Sequence, residues 1–245
     1  MAIKRAKHRG AAPRNYSGGM QRFRKQLTDS GMPERFVDEF IQSNTVLNFA
    51  KDAVIFAQGS PSDLLSWVRS GVVATFYCAP DGTRVLTRLA GPGEIFGHLS
   101  LADTHGRLVH AFESRAHSNC QIAVVSHERV FRALQTLEPA ALIRLLGNLS
   151  AAWAQTAQYW ASFLAMDYPQ RLQTIFTDLV TRFGVIQPHA ARLDLDLGHR
   201  DLAEMIGCSR PMASQLVAAM LRARKIERRN RHYVLLNGSR VSGRQ

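Results

Sequence analysis

A short segment near the C-terminus carries residues whose types and spacing suit the reading of DNA bases. Arginine can bond to guanine through two parallel hydrogen bonds, and glutamine can do the same with adenine. Arg210 and Gln215 lie five positions apart, on one predicted helix. Ser209 is a good N-cap for that helix, and Pro211 falls in its first turn, where a missing N–H costs little. The segment therefore predicts a helix that presents base-reading side chains at its N-terminal end.

The residues before this helix complete a helix-turn-helix. Helices predicted over His199–Ile206 and Ser209–Arg224 are joined at Gly207, because glycine accepts the left-handed turn conformation that a side chain resists. Ala203 is small where the two helices would cross. In this motif the second helix enters the major groove. The basic hairpin that follows is predicted to be a wing that reaches phosphate. The predicted DNA-facing residues are Arg210, Pro211, Ser214 and Gln215 on the helix and Arg228, Arg229 and Arg231 on the wing.

The charge distribution favours a polyanionic partner. The chain has 245 residues and a net charge of +12, of which residues 1–30 carry +7, residues 31–165 carry −1 and residues 166–245 carry +6. Clustered positive charge of this kind is typical of proteins that bind nucleic acid. The alternative interpretation is a disordered basic tail attached to a merely basic domain.

Residues from about 45 to 126 have the pattern of a small antiparallel barrel or roll. Short runs rich in Val, Ile, Phe and Thr alternate with Gly and Pro turns, and Asp81-Gly82 is a strong hairpin signal. The predicted strands are Val54–Ala57, Leu64–Arg69, Val72–Cys78, Thr83–Leu89, Ile95–Phe96, Val109–Glu113 and Cys120–Val125.

A long helix is predicted from Pro139 to about Ala165, after a short helix at 127–137 that Ser126 can cap. Its apolar residues alternate steps of four and three, which is the heptad spacing of paired helices. We interpret this seam as a homodimer interface, the alternative being a stripe packed on the chain's own β domain. The seam residues are Leu142, Leu146, Leu149, Trp153, Thr156, Trp160 and Phe163. Thr156, its polar member, either fixes the register or touches something bound between the helices.

The remaining segments complete an α+β organisation. Residues 21–43 look helical with a break near Gly31-Met32-Pro33, and a helix at Gln170–Phe183 is followed by a variable stretch through Pro188 and a strand at Arg192–Leu195. The predicted domains are a basic flexible arm (1–30), an antiparallel β-roll sensor domain (31–137), a dimerisation helix (138–166) and a C-terminal winged helix-turn-helix domain (167–245).

These elements together resemble the Crp/Fnr family of bacterial transcription regulators over about residues 35 to 240. The resemblance rests on turn glycines such as Gly59, Gly71 and Gly97, and on Ile206-Gly207-Cys208-Ser209-Arg210, which is close to the sequence motif of the family at this turn. It implies a cyclic-nucleotide-binding-like β-roll and a homodimer on a two-fold symmetric operator, with RNA polymerase as partner. It also implies that Arg210 reads a guanine and that Ser209 and His199 contact phosphate. Pro211 and Gln215 depart from the family's glutamate and second arginine, so its usual half-site is not expected.

The ligand pocket departs further from the family pattern. Members that bind cyclic AMP use a Gly-Glu-Leu segment and an Arg-Ser pair, whereas this chain has Gly97-His98-Leu99 and no Arg-Ser in Arg107–Ala111. A cyclic phosphate buried without its guanidinium would cost several kcal/mol. We therefore expect no binding of cyclic AMP in the usual way, and the effector is unknown. Thr156 matches the threonine that touches the base in such members. The candidate pocket residues are Gly97, His98, Leu99, Arg107, His110 and Thr156, with Arg107 and His110 either contacting an anion or being solvated loop residues.

Other chemistries find little support. An iron–sulfur sensor needs an N-terminal cysteine cluster, and residues 1–30 contain no cysteine. A haem ligand at His98 would be one residue off the family position, which in a strand faces the opposite side. Cys78 and Cys120 are interpreted as apolar fillers. We predict no metal site and no catalytic residues, and the sequence identifies no certain cofactor.

The predicted class is a cytoplasmic DNA-binding regulator that is not an enzyme. Singly spread cysteines favour a reducing compartment, no apolar run is long enough to span a membrane, and the basic N-terminus lacks the apolar run of a secretory signal. No nucleophile elbow, phosphate loop or metal-ligand pair is present in the sequence. The alternative is a sequence-tolerant architectural DNA-binding protein.

Overall fold

The structure, a computed structural model, describes residues 16–97, 100–102, 105–187 and 190–236. The chain divides into two compact units, with the division after Thr156. In the described part of the first unit there are two helices, ten short strands, a third helix and most of a fourth. Their bounds are α1 Tyr16–Asp29, α2 Glu34–Ser43, β1 Thr45–Phe49, β2 Val54–Phe56, β3 Leu64–Ser70, β4 Val73–Cys78, β5 Arg84–Ala90, β6 Ile95–Phe96, β7 Ser100–Ala102, β8 Leu108–His110, β9 Glu113–Ala116, β10 Cys120–Ser126, α3 His127–Gln135 and α4 Pro139–Ala165.

The strands of the first unit form two four-stranded antiparallel sheets and a small hairpin, which confirms the predicted β-roll. The sheet orders are β1-β10-β3-β6 and β2-β9-β4-β5, and β7 pairs with β8. The β4–β5 hairpin turns at Asp81-Gly82 as expected, with Gly82 at φ +84°. The Asp81 carboxylate accepts a 2.8 Å hydrogen bond from the Thr83 N–H, which lowers the pKa of Asp81.

One predicted strand of the roll is broken in two. The run Val109–Glu113 divides because its halves pair with different partners: the backbone of His110 bonds to Gly59 and Ser60, whereas β9 pairs with β2 and β4. Backbone pairing across the roll, which local sequence does not encode, decides where these strands end.

The predicted flexible arm over residues 1–30 is wrong for its second half, whereas the helical segment predicted over residues 21–43, with its break near Gly31-Met32-Pro33, is confirmed as α1 and α2. Residues 16–29 form α1, whose Phe23 is fully buried and stacks on Trp67 with ring centroids 4.1 Å apart. Where α1 crosses the turn between β5 and β6, a side chain at Gly93 would collide with the backbone of Gly19. Apolar burial thus outweighs the basic composition of this segment. Residues 1–15 of the predicted arm lie outside the described residues.

The basic residues of α1 also have acidic partners within their own unit. Arg22 lies 3.9 Å from Glu94, and Lys25 lies 2.9 Å from Asp29, which is one helical turn away. Arg24 pairs with Asp38. The positive charge of residues 16–29 is therefore partly balanced inside the β-roll unit.

Replacing Phe23 by alanine tests whether α1 belongs to the core. We expect the free energy of unfolding to fall by about 3 kcal/mol, because the variant loses a fully buried aromatic ring and its stacking contact with Trp67. Denaturant titration measures the change. Phe131→Ala is the matched control, since Phe131 is half exposed on α3 and should shift stability by about 0.5 kcal/mol at most. Equal effects of the two substitutions would contradict a packed α1.

The second unit contains the end of α4 and a winged helix-turn-helix, which confirms the predicted fold of this region. Its other elements are α5 Tyr168–Phe183, β11 Gly184–Gln187, β12 Ala190–Leu193, α6 His199–Ile206, α7 Arg210–Arg222, β13 Ile226–Arg229 and β14 His232–Leu236. Asp167 and Gln170 form a capping box that starts α5. Phe176 packs edge-on against Tyr233 in the core, with centroids 5.1 Å apart.

The four strands of this unit form one antiparallel sheet in the order β11-β12-β14-β13. β11 lies in the stretch predicted to be variable, and the strand predicted at Arg192–Leu195 is β12, which begins two residues earlier. The reason is that β12 has a neighbour on each side, β11 and β14, so its bounds follow their register. Among the described residues, no helix combines the length and apolar character needed to cross a membrane.

Candidate nucleic-acid interface

The turn between α6 and α7 is built by local backbone chemistry. Gly207 ends α6 in the left-handed conformation (φ +74°), and its N–H and that of Cys208 both donate to the Ala203 carbonyl oxygen. The Ser209 hydroxyl then caps α7 by accepting from the Met212 N–H. These are the roles predicted for Gly207 and Ser209, and they set the angle at which α7 leaves α6.

The predicted DNA-facing residues in the first two turns of α7 differ in how far they are exposed to solvent. Ala213 and Val217 are buried and hold α7 in its unit, while Arg210, Pro211 and Gln215 are exposed. Ser214 differs from the expectation of a freely outward residue, because it is half-buried on the side of α7 that faces α6.

Ser214 is joined there to His199, at the start of α6. The Ser214 hydroxyl lies 2.8 Å from His199 Nδ1. Partial burial lowers the pKa of His199, and the positive charges of Arg228 and Arg210 lower it further. His199 is therefore mainly neutral at pH 7. A phosphate that approaches the imidazole would raise its pKa again, because a negative charge favours the protonated ring.

The wing holds three exposed arginines, each with a local contact. Arg229 pairs with Glu227 at 2.8 Å, and Arg231 lies 3.9 Å from the carboxylate of Asp196. The Arg228 guanidinium lies 5.6 Å from the centroid of the Tyr233 ring. Exposed ion pairs contribute at most about 1 kcal/mol. The guanidinium groups of Arg229 and Arg231 can therefore exchange these carboxylates for a phosphate.

Arg171 is a structural residue of this unit that the sequence reasoning missed. Its guanidinium donates to four carbonyl oxygens at 2.9 to 3.1 Å. Three of them belong to Phe163 and Leu164 in the last turn of α4 and to Met166 directly after it, and the fourth belongs to Ile206, the last residue of α6. It thereby ties the end of α4 to the end of α6. The available signal was a cation in the first turn of α5, where the helix dipole disfavours it.

The apolar seam predicted on α4 is exposed along most of its length. The exposed fractions are 37% for Leu142, 57% for Leu146, 49% for Leu149 and 63% for Trp153. Thr156 is exposed too, and its hydroxyl donates to the Ala152 carbonyl of its own helix.

The C-terminal end of the seam behaves differently. Trp160 is half-buried, and Phe163 is only 3% exposed, which corrects its assignment as a seam residue. Phe163 packs within its own chain, between the ring of Tyr159, which stacks on it, and the guanidinium of Arg171, 5.5 Å from its centroid. The exposed apolar stripe therefore consists of Leu142, Leu146, Leu149 and Trp153, and the exposed polar Thr156 follows it.

The predicted pocket residues of the β-roll are only partly brought together. His110 Nδ1 lies 3.0 Å from the Gly97 carbonyl oxygen, and the imidazole stacks on Phe56 with centroids 4.2 Å apart. His110 is buried, so its interpretation as a solvated loop residue is wrong; burial lowers the pKa of His110. Arg107 is exposed. His98 and Leu99 lie outside the described residues.

The described cysteines and possible metal ligands form neither a reactive-thiol site nor a metal site. Cys120 is buried, which raises the pKa of its thiol to about 12, and burial also raises the pKa of Cys208. Such thiols are poor nucleophiles. Within the part of the chain that the structure describes, no three His, Cys, Asp or Glu side chains are grouped as a metal site would require.

The fold and the helix-turn-helix surface define a DNA-binding protein with a cyclic-nucleotide-binding-like domain. Residues 46–137 match the cyclic nucleotide-binding domain family, and residues 170–240 match the Crp-like helix-turn-helix domain. A "CRP-like cAMP-activated global transcriptional regulator" of Mycobacterium tuberculosis is 30% identical over 173 residues, which cover 70% of this chain and 75% of that protein.

Solved structures share the fold. FixK2 from Bradyrhizobium japonicum matches with a TM-score of 0.67 and 17% identity, over 78% of this chain and 92% of the other. The c-di-GMP responsive regulator CLP of Xanthomonas campestris matches with a TM-score of 0.66 and 22% identity, over 83% and 99%. This chain belongs to the Crp/Fnr family and is a DNA-binding transcription regulator.

Proposed function

We propose that two copies of this chain associate through the exposed stripe of α4 and place two α7 helices in successive major grooves of a palindromic operator. The observation that carries the proposal is the stripe itself. One face of α4 has its residues Ala141 and Leu145 buried within the first unit, while a neighbouring face leaves three leucines and a tryptophan in water. Heptad-spaced apolar residues of this kind are the usual seam of paired helices.

The contacts of each α7 with DNA follow from side-chain type and position. Arg210 would pair with a guanine and Gln215 with an adenine, since both are exposed at the helix start. His199, Ser209 and the wing arginines would contact phosphates. Ser214, which bonds to His199, would then act by holding that imidazole in place. The proposed division of labour is a sensor domain at 31–137, a dimerisation helix at 138–166 and a DNA-binding domain at 167–245, with RNA polymerase as the protein partner.

We further propose that cyclic AMP is not the effector in the usual manner. Beside Gly97 the pocket region contains the stacked rings of His110 and Phe56, and Arg107 is exposed. A buried cyclic phosphate needs a cationic partner, and a neutral buried imidazole is a poor one. The dimer would then bind DNA without a ligand or with a different one.

Selection of bound oligonucleotides from a random pool tests the proposal. We expect a two-fold symmetric site with half-sites about one helical turn apart. Competition at near-physiological salt should show that site to be preferred by at least about a thousandfold. Added cyclic AMP should leave the affinity unchanged. Equal affinity for all sequences would indicate an architectural DNA-binding protein instead, and a large gain with cyclic AMP would contradict the proposed ligand independence.

The low pKa of His199 predicts a pH dependence of DNA binding. A phosphate near the imidazole raises its pKa, so the complex binds more protons than the free protein. Affinity should therefore rise as pH falls from 7 to 6. Fluorescence anisotropy across this range measures the effect. The His199→Gln variant should lose most of the pH dependence, and an unchanged profile in that variant would rule out this role for His199.

A further inference from the structure

One large apolar side chain of the recognition helix is more exposed than the others. Met212 is 39% exposed, whereas Val217 is 2% exposed and Leu216, Met220 and Leu221 are all less exposed than Met212. All of α7 lies in the described part of the chain, so Met212 is its one exposed large apolar residue.

The position of Met212 is defined by the cap of the helix. Its N–H donates to the Ser209 hydroxyl at 3.4 Å, which places it in the first turn directly after the exposed Pro211. Gln215 follows three residues later, which is the spacing of neighbours on one helical surface. No acidic residue lies in this turn. Met212 and Pro211 thus form a small apolar patch beside Gln215, at the end of α7 that faces the bases in a helix-turn-helix complex.

The major groove offers one kind of apolar group to such a patch. Base edges there carry hydrogen-bond donors and acceptors, and thymine adds a C5 methyl group. A polar base edge against Met212 would lose water without gaining a partner, whereas a methyl group would be buried favourably. Methionine is flexible enough to reach such a group without strict geometry.

We propose that Met212, supported by Pro211, determines specificity by contacting the methyl group of one thymine in each half-site. This inference rests on the proposed insertion of α7 into the major groove. The methyl group would lie next to the base that Gln215 contacts. Each half-site would then contain a thymine that the protein recognises by its methyl group and not by its hydrogen-bonding edge.

Deoxyuridine provides the test, because it differs from thymidine by that methyl group alone. Each symmetric pair of thymines in the selected operator is replaced by deoxyuridine, and affinity is measured by anisotropy for the wild type, Met212→Ala and Met212→Leu. One buried methyl group contributes about 0.8 kcal/mol, which is about fourfold in affinity. At one pair of thymines the wild type should therefore lose about fifteenfold in affinity, because one methyl group is removed from each of the two half-sites. Met212→Ala should lose most of that sensitivity, and Met212→Leu, which stays apolar, should keep it.

The outcomes separate the inference from the function on which it rests. A symmetric operator at which no thymine shows the effect, or the same deoxyuridine penalty in Met212→Ala as in the wild type, overturns the inference and leaves the proposed function standing. Selection of no preferred sequence overturns both. Gln215→Ala is the control variant, because it should weaken binding while the deoxyuridine penalty persists.

Discussion

Leu149→Glu should convert the protein from a dimer into single subunits and weaken operator binding by at least about a thousandfold. Leu149 lies in the middle of the exposed stripe of α4 and is half exposed in one chain, so the substitution leaves the fold of a subunit intact. In the proposed dimer two carboxylates would meet in an apolar seam, which costs several kcal/mol. Loss of the seam also removes the gain from binding two half-sites at once.

Sedimentation and anisotropy together measure this effect. The matched control is Phe131→Glu, which introduces the same charge at a half-exposed apolar residue that belongs to α3 and not to the stripe of α4. It should change neither the subunit mass nor the operator affinity. If the wild type sediments as a single subunit, both free and on DNA, the proposed mode of binding fails whatever the variants do.

Arg210→Ala should produce the second large effect, a loss of about 1–3 kcal/mol at each half-site together with relaxed preference at one base pair. A symmetric operator has two such positions, so the total can reach about 6 kcal/mol. Arg210 is exposed in the first turn of α7. The measurement is the affinity for a set of operators that carry each of the four base pairs at every position.

A wing arginine supplies the contrast. Arg229→Ala should weaken binding to all sequences alike and reduce the salt dependence by about one counterion per subunit, because a phosphate contact carries no sequence information. Arg132→Ala is the matched control, since Arg132 also has an exposed carboxylate partner, Glu128, but lies on α3 of the β-roll unit. If Arg210→Ala reduces affinity equally for every operator, Arg210 contacts the backbone and not a base.

The helix-turn-helix is the part of the site that sequence reasoning predicted most completely. The bounds of α6, the turn at Gly207 and the cap at Ser209 all follow from interactions within a few residues, whereas α7 ends at Arg222, two residues before the predicted end at Arg224. Capping and left-handed turns are local, so residue type at one position predicts them well. The Asp81-Gly82 hairpin was predicted for the same reason.

Features that join distant residues were predicted poorly. The seam spacing on α4 identified a long amphipathic helix, but Phe163 satisfies the heptad pattern and yet is covered by Arg171 and neighbouring rings. The broken strand around His110 and the added edge strand β11 depend on which strands pair, and pairing partners are far apart in sequence.

The sequence by itself determined the class of the protein, because glycine turns, helix caps, apolar periodicity and basic side chains act locally and add up along the chain. The tertiary structure decided three further matters: that Phe23 makes the second half of the basic N-terminus part of the core, that His110 is a buried neutral imidazole, and that Arg171 ties the end of α4 to the helix-turn-helix. Each depends on contacts whose free energy comes from excluding water or pairing polar groups between segments brought together only by folding.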